Sequence, residues 1–163
     1  MQEKVQLRRQ DRALSLEDSW QLLMEAAVGR LGLATPEGHP YIIPLNYVIL
    51  NKEIFFHCAT EGRKLDIIGQ NPQVCFEVDT LLGIKTGPKA CDFGAYYKSV
   101  IAFGQAYAVE DETRKADILN ALTAKYAPPG HIFEPVAASH VNNVTIIGIK
   151  VSTLTGKARI KNA

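Results

Sequence analysis

A chain of 163 residues, 47% hydrophobic and 21% charged with a net charge of +1, has the composition of an ordinary globular protein. It is long enough to bury ~70% of its unfolded surface, and its charge gives no global pull toward nucleic acid or an acidic membrane. Three cysteines without a CxxC pair argue against a disulfide framework and against structural zinc. No apolar run approaches the ~20 residues of a membrane helix. The start, MQEKVQLRRQDRALSLED, lacks the apolar centre of a secretory signal, so a cytoplasmic location is expected.

No repeat, low-complexity tract or linker interrupts the sequence, and residues 1–163 are expected to form a single domain. LRRQDRAL reads as a charged arm. Ser15 followed by Asp18 resembles a capping box with Asp in place of Glu. Leu16, Trp20, Leu23, Met24, Ala27 and Val28 recur at helical spacing, which predicts an amphipathic helix over 16–28 stopped by Gly29. A strand follows over 30–35, then a Pro36-Glu37-Gly38 turn.

Residues 39–50 predict a long strand interrupted at Pro40 and Pro44, where a missing N–H demands an edge or a bulge. Asn51-Lys52 is a hairpin turn, and 53–58 is the next strand. Gly62 to Gln70 reads as a short helix ended by Asn71-Pro72. Val74, Phe76 and Val78 alternate with Cys75, Glu77 and Asp79 as in a half-buried antiparallel strand. Two glycines and a proline mark 81–92 as a loop. A long strand over 93–109, a helix over 110–126 and a last strand over 144–154 complete the order. Six or seven antiparallel strands with two or three helices fit a small barrel of mainly β, α+β type.

The chemistry concentrates between Arg30 and Asp79. Two hairpins bring His57 and Cys58 to a strand end, and Gly62-Arg63-Lys64 then opens a helix. Free N–H groups, the positive dipole end and two cations converge there, which suits a phosphate. The plainer reading is two solvated cations on an exposed helix start. His57, set among Phe55, Phe56 and Cys58, reads on its own as a packed core side chain. Cys58 and Cys75 read as buried reduced thiols. The sequence holds no dinucleotide fingerprint, P-loop, nucleophile elbow or metal-ligand spacing.

PEGHPYIIPLNYV, IFFHCATEGRKLD and NPQVCFEVD, with LRRQDRAL before them and CDFGAYYKSVIAFGQA after, resemble the pyridoxamine 5′-phosphate oxidase-like flavin proteins, and within them the nitroimidazole-resistance (Nim) branch. The resemblance implies an FMN-binding antiparallel split β-barrel that dimerises with the flavin at the subunit interface. It places the FMN phosphate on Arg63 and Lys64, and the isoalloxazine ring beside Pro44, Leu45 and Asn46. His57 and Cys58 would stand next to the flavin, with His57 in a proton-transfer role. Lys98 and Ser99 would reach the flavin from the partner subunit. Tyr96 and Tyr97 would stack on the ligand or cover the dimer seam, and Lys157 and Arg159 could add positive charge.

The implied activity is FMN-dependent oxidoreduction on a small molecule, a nitroimidazole or other nitro compound, with NAD(P)H as a candidate donor. Two departures matter: Asn46 stands near where the oxidase branch has a lysine, and no histidine follows His140. Alternatives left open are a non-enzymatic flavin-binding or sensing module, and the same fold holding haem or a deazaflavin.

Overall fold

The computed structural model describes residues 7–161. Ser15 caps helix α1 (Leu16–Glu25), its Oγ accepting the Asp18 N–H at 2.9 Å. The helix ends three residues before the periodicity does. The carbonyl of Leu23 accepts from the Tyr47 hydroxyl at 2.5 Å, and that of Ala26 accepts from Lys125 Nζ at 3.0 Å. Tertiary donors thus take the carbonyls another turn would have served, and Ala26 is already extended. Gly29, expected as the stop, instead begins β1 (Gly29–Ala34), where any Cβ would collide with the Phe76 ring.

The predicted long strand divides into β2 (Pro40–Leu45) and β3 (Val48–Leu50), parted by Asn46 and Tyr47. Both prolines lie in β2, an outer strand of the sheet, where a missing N–H can face away from its one neighbour. Asn51 and Lys52, both at positive φ, form the hairpin to β4 (Glu53–Cys58). Helix α2 (Arg63–Gln70) leads to β5 (Gln73–Lys85), and β6 (Gly94–Ala108) follows. The expected loop over 81–92 is therefore strand for its first part. Gly83 at φ 154° carries the chain through a bulge after Leu81, and pairing with β6 resumes to Lys85. Helix α3 (Glu112–Tyr126) starts from the Asp111 cap, and β7 (Thr145–Arg159) runs five residues past the predicted end because β6 offers it a continuous ladder.

The strands form one antiparallel sheet in the order β2-β1-β5-β6-β7-β4-β3. Its two outer strands, β2 and β3, are consecutive in the chain with only Asn46 and Tyr47 between them. A flat seven-stranded sheet would hold its edges far apart, at about 4.8 Å per strand. So short a link forces the sheet to curl into a half-barrel. Inside it pack Leu31, Ile54, Phe56, Phe76, Val78, Val100 and Ile149, with α1 lying against the same inner face through Leu22 and Leu23. Tyr47, fully buried, meets Phe76 edge-to-face at 4.7 Å between ring centres. A second cluster, Val48, Phe55, Ile118, Leu122 and Ile146, seats α3 outside β4.

Candidate functional site

Strand β4 alternates as its sequence dictates. Ile54, Phe56 and Cys58 enter the inner core, whereas Glu53, Phe55 and His57 face outward. Phe55 is covered by α3, but His57, two residues on, is exposed. The packed-core reading of His57 fails for that reason: the apolar neighbours in sequence lie on the opposite face or under a helix that stops short of it. Cys58 is buried, so only its main chain can border a ligand beside His57. Burial pushes its thiol above the ordinary range, and the Lys64 ammonium nearby opposes that shift.

Past Cys58 the chain turns through Gly62, at φ 133°, into α2. The Gly62 carbonyl accepts from Leu65 and Asp66, and among the described residues no side chain caps the helix, which leaves its first N–H groups open to an outside acceptor. A Cβ at Gly62 would meet no atom within 4 Å, leaving open space over those groups. Arg63 lies over the Tyr41 ring of β2 at 4.9 Å. Among the described residues, neither Arg63 nor Lys64 has a carboxylate at ion-pair distance. Two cations without a carboxylate partner among the described residues, at a helix start next to a glycine, fit a phosphate group.

The third wall is the link between the sheet edges. Continuing the β3–β4 register beyond Val48↔Phe55 brings Asn46 level with His57, although the ladder has already ended. Asn46 is exposed and its Nδ2 donates to the Ala27 carbonyl at 3.3 Å. Pro44 is exposed opposite Arg30, and Leu45 is half-buried against the inner core. Pro44–Asn46 thus run off the end of β2, His57 stands near the end of β4, and the start of α2 reaches β2 through Arg63 and Tyr41.

Lys98 and Ser99 lie on β6, toward the end away from the residues level with His57, although through Arg30 and Glu77 the register sets Pro44 level with Ile101, two residues from Ser99. Ser99 pairs with Lys157, whereas Ala108 pairs with Ile147, beside the strand partner of His57. The path along β6 from Ser99 to Ala108 is about 30 Å at the usual rise per residue. Lys157 and Arg159 share that distant end, their charged groups 5.7 Å and 5.8 Å from the rings of Tyr97 and Tyr96. His131 lies outside regular structure, and His140 closes a short 3-10 turn. Sequence reasoning missed Tyr41, which the alternation of β2 could have put on the Arg63 side. It also missed Tyr126 and Lys125, for which no local signal exists.

A family model described as pyridoxamine 5′-phosphate oxidase matches residues 15–158. Among solved structures, the flavocytochrome Anf3 from Azotobacter vinelandii superposes with a TM-score of 0.82 at 19% identity, covering 96% of this chain and 73% of that one. An FAD and heme binding protein from Mycobacterium smegmatis gives 0.78 at 18% identity over 91% and 75% of the two chains. A candidate 5-nitroimidazole antibiotic resistance protein from Bacteroides thetaiotaomicron gives 0.74 at 24% identity over 89% and 85%. A search of curated protein sequences finds no match. The likeness to these structures is one of fold, the curled antiparallel sheet of the split barrel. The match across residues 15–158, every strand but the last residue of β7 included, means that this chain belongs to the pyridoxamine 5′-phosphate oxidase family.

Proposed function

We propose that this chain is a flavin-dependent oxidoreductase that binds FMN between the ends of β2 and β4 and acts on a small electron-poor acceptor, nitro compounds being the favoured class. The observation that carries the reading is the open start of α2: N–H groups without a side-chain cap, Gly62 without a side chain, and Arg63 and Lys64 without a carboxylate partner among the described residues. These groups would hold the phosphate, Pro44, Leu45 and Asn46 would line the ring with main-chain groups, and His57 would stand exposed at its edge, able to hold or give a proton. The flavin, when bound, supplies the redox chemistry, and the chain positions it. Structural relatives described as binding FAD or as a flavocytochrome agree with a flavin in this fold.

The active unit in this reading is a homodimer. In it a second copy would present Lys98 and Ser99, which within one protomer stand about 30 Å along β6 from the residues level with His57. The outer face of β2-β1-β5-β6 carries Ile42, Leu81, Ile84 and Ile101 at 37–66% exposure, a surface suited to that copy.

The test starts with the absorbance spectrum of the purified protein before and after FMN is added and the excess removed. Replacing both Arg63 and Lys64 by Ala should then weaken FMN about 100-fold or more, from two charge-assisted contacts of ~1.5–3 kcal/mol each, and leave riboflavin nearly unchanged. Equal weakening of both flavins sinks the phosphate assignment. Turnover of NADH or NADPH with a nitroaromatic acceptor separates an enzyme from a binding module. A haem reading is favoured by the exposure of His57, which an axial ligand requires. It predicts a Soret band that disappears in His57→Ala.

A further inference from the structure

The flavin reading makes the main chain at Pro44–Asn46 a wall of the site, yet this is where the chain leaves the ladder. Strand pairing does not hold Asn46 and Tyr47, and the acceptor of the Tyr47 N–H comes from 79 residues away. The Tyr126 hydroxyl, in the last turn of α3, accepts the Tyr47 N–H at 2.9 Å and donates to the Ala27 carbonyl at 2.8 Å. The Tyr47 carbonyl lies 3.1 Å from the same hydroxyl. Asn46 Nδ2 reaches the Ala27 carbonyl as well, at 3.3 Å. Asn46 and Tyr126 therefore meet on one acceptor, and the backbone between β2 and β3 is fixed at both its N–H and its neighbouring side chain.

We infer that Tyr126 is a positioning residue of the cofactor site, setting the main chain of Asn46 and Tyr47 against the polar edge of the flavin ring without touching the ligand. This rests on the flavin reading above. The ring of Tyr126 packs in the cluster beneath α3, so its hydroxyl can be removed while its body stays. The role is distinct from that of Arg63 and Lys64, since it concerns the ring and not the phosphate.

Tyr126→Phe is the variant, assayed in the full chain by flavin titration and by amide hydrogen exchange without flavin. Dissociation constants for FMN and riboflavin should rise together, about tenfold, as loss of one well-placed bond predicts. The Tyr47 amide should exchange about tenfold faster or more, with the Ile54 amide in β4 unaffected. Unchanged Tyr47 exchange, or FMN and riboflavin bound as in the wild type, overturns the inference. A wild type that binds neither flavin overturns the flavin reading and this role with it, an outcome separable from an unchanged variant of a flavin-binding wild type. Should Tyr126→Phe fail to fold, the wild type alone decides. Riboflavin must then slow exchange at Tyr47 more than at Ile54, and equal slowing at both overturns the inference.

Discussion

Gly104 sits where β6 and β7 shift register, and replacing it by Ala tests how the half-barrel is built. A Cβ there would lie 2.9 Å from the Lys150 carbonyl carbon and 3.1 Å from Ile149 Cγ2, with the carbonyl oxygen nearer still. Ordinary contacts for such atoms are about 3.4–4 Å, so the facing strand must retreat by half an ångström or more. A shift of the Ile149 side chain cannot relieve this, because the two nearest obstructing atoms are Lys150 main chain in the middle of the sheet. Overpacking of this kind costs about 2–3 kcal/mol, which for a chain this long lowers Tm by about 5–10 °C. Urea unfolding with an unchanged slope should report it. Gly69→Ala in α2, whose Cβ would meet no atom within 4 Å, is the matched control and should instead stabilise by about 0.5–1 kcal/mol. A Gly104→Ala protein within 0.5 kcal/mol of the wild type would falsify the idea that close strand approach, and not chance, put glycine there.

Two further outcomes concern Lys125 and His57. Burial pulls Lys125 from its ordinary 10.5 down to about 8, while its ammonium sits 3.8 Å over the Tyr47 ring and 5.4 Å from that of Tyr126. Between pH 8 and 10.5 the unfolded chain then binds more protons than the folded one, so stability should rise with pH there relative to Lys125→Met. The gain is about 1 kcal/mol once solvent screening of a half-buried group is allowed for, and a flat or falling difference refutes it. His57→Ala should leave stability within about 0.5 kcal/mol, since the side chain is exposed, yet change acceptor turnover. A large stability loss without an effect on turnover would return His57 to a structural role.

The sequence made local features legible and tertiary ones opaque. Alternation in Gln73–Asp79 and 93–109 gave β5 and β6 because Val74, Phe76 and Val78 on one and Val100, Ala102, Gly104 and Ala106 on the other form a buried face, and the Ser15 cap and Asn51-Lys52 turn are set within a few residues. The end of α1 was not readable, since it depends on Tyr47 and Lys125 taking its carbonyls from across the molecule. Residues 81–85 looked like loop by composition, and only the long partner strand β6 makes them a ladder. At the site, the basic start of α2 was legible as a charge pattern. Its approach to β2 through Arg63 and Tyr41 was not, because it exists only after the whole sheet has curled.

Those edges carry a hazard that the closed side of the barrel does not. An unpaired strand invites another chain to add to it, and a half-barrel has two such rims. At β2 the prolines at 40 and 44 strip two of the donors that an incoming strand would need, with only Ile42 between them on that side of the strand. At β3 the rim is three residues long, too short to template a stable addition. Lengthening the Asn46–Tyr47 link would let the rims part, and the cost would appear as aggregation before it appeared as lost activity.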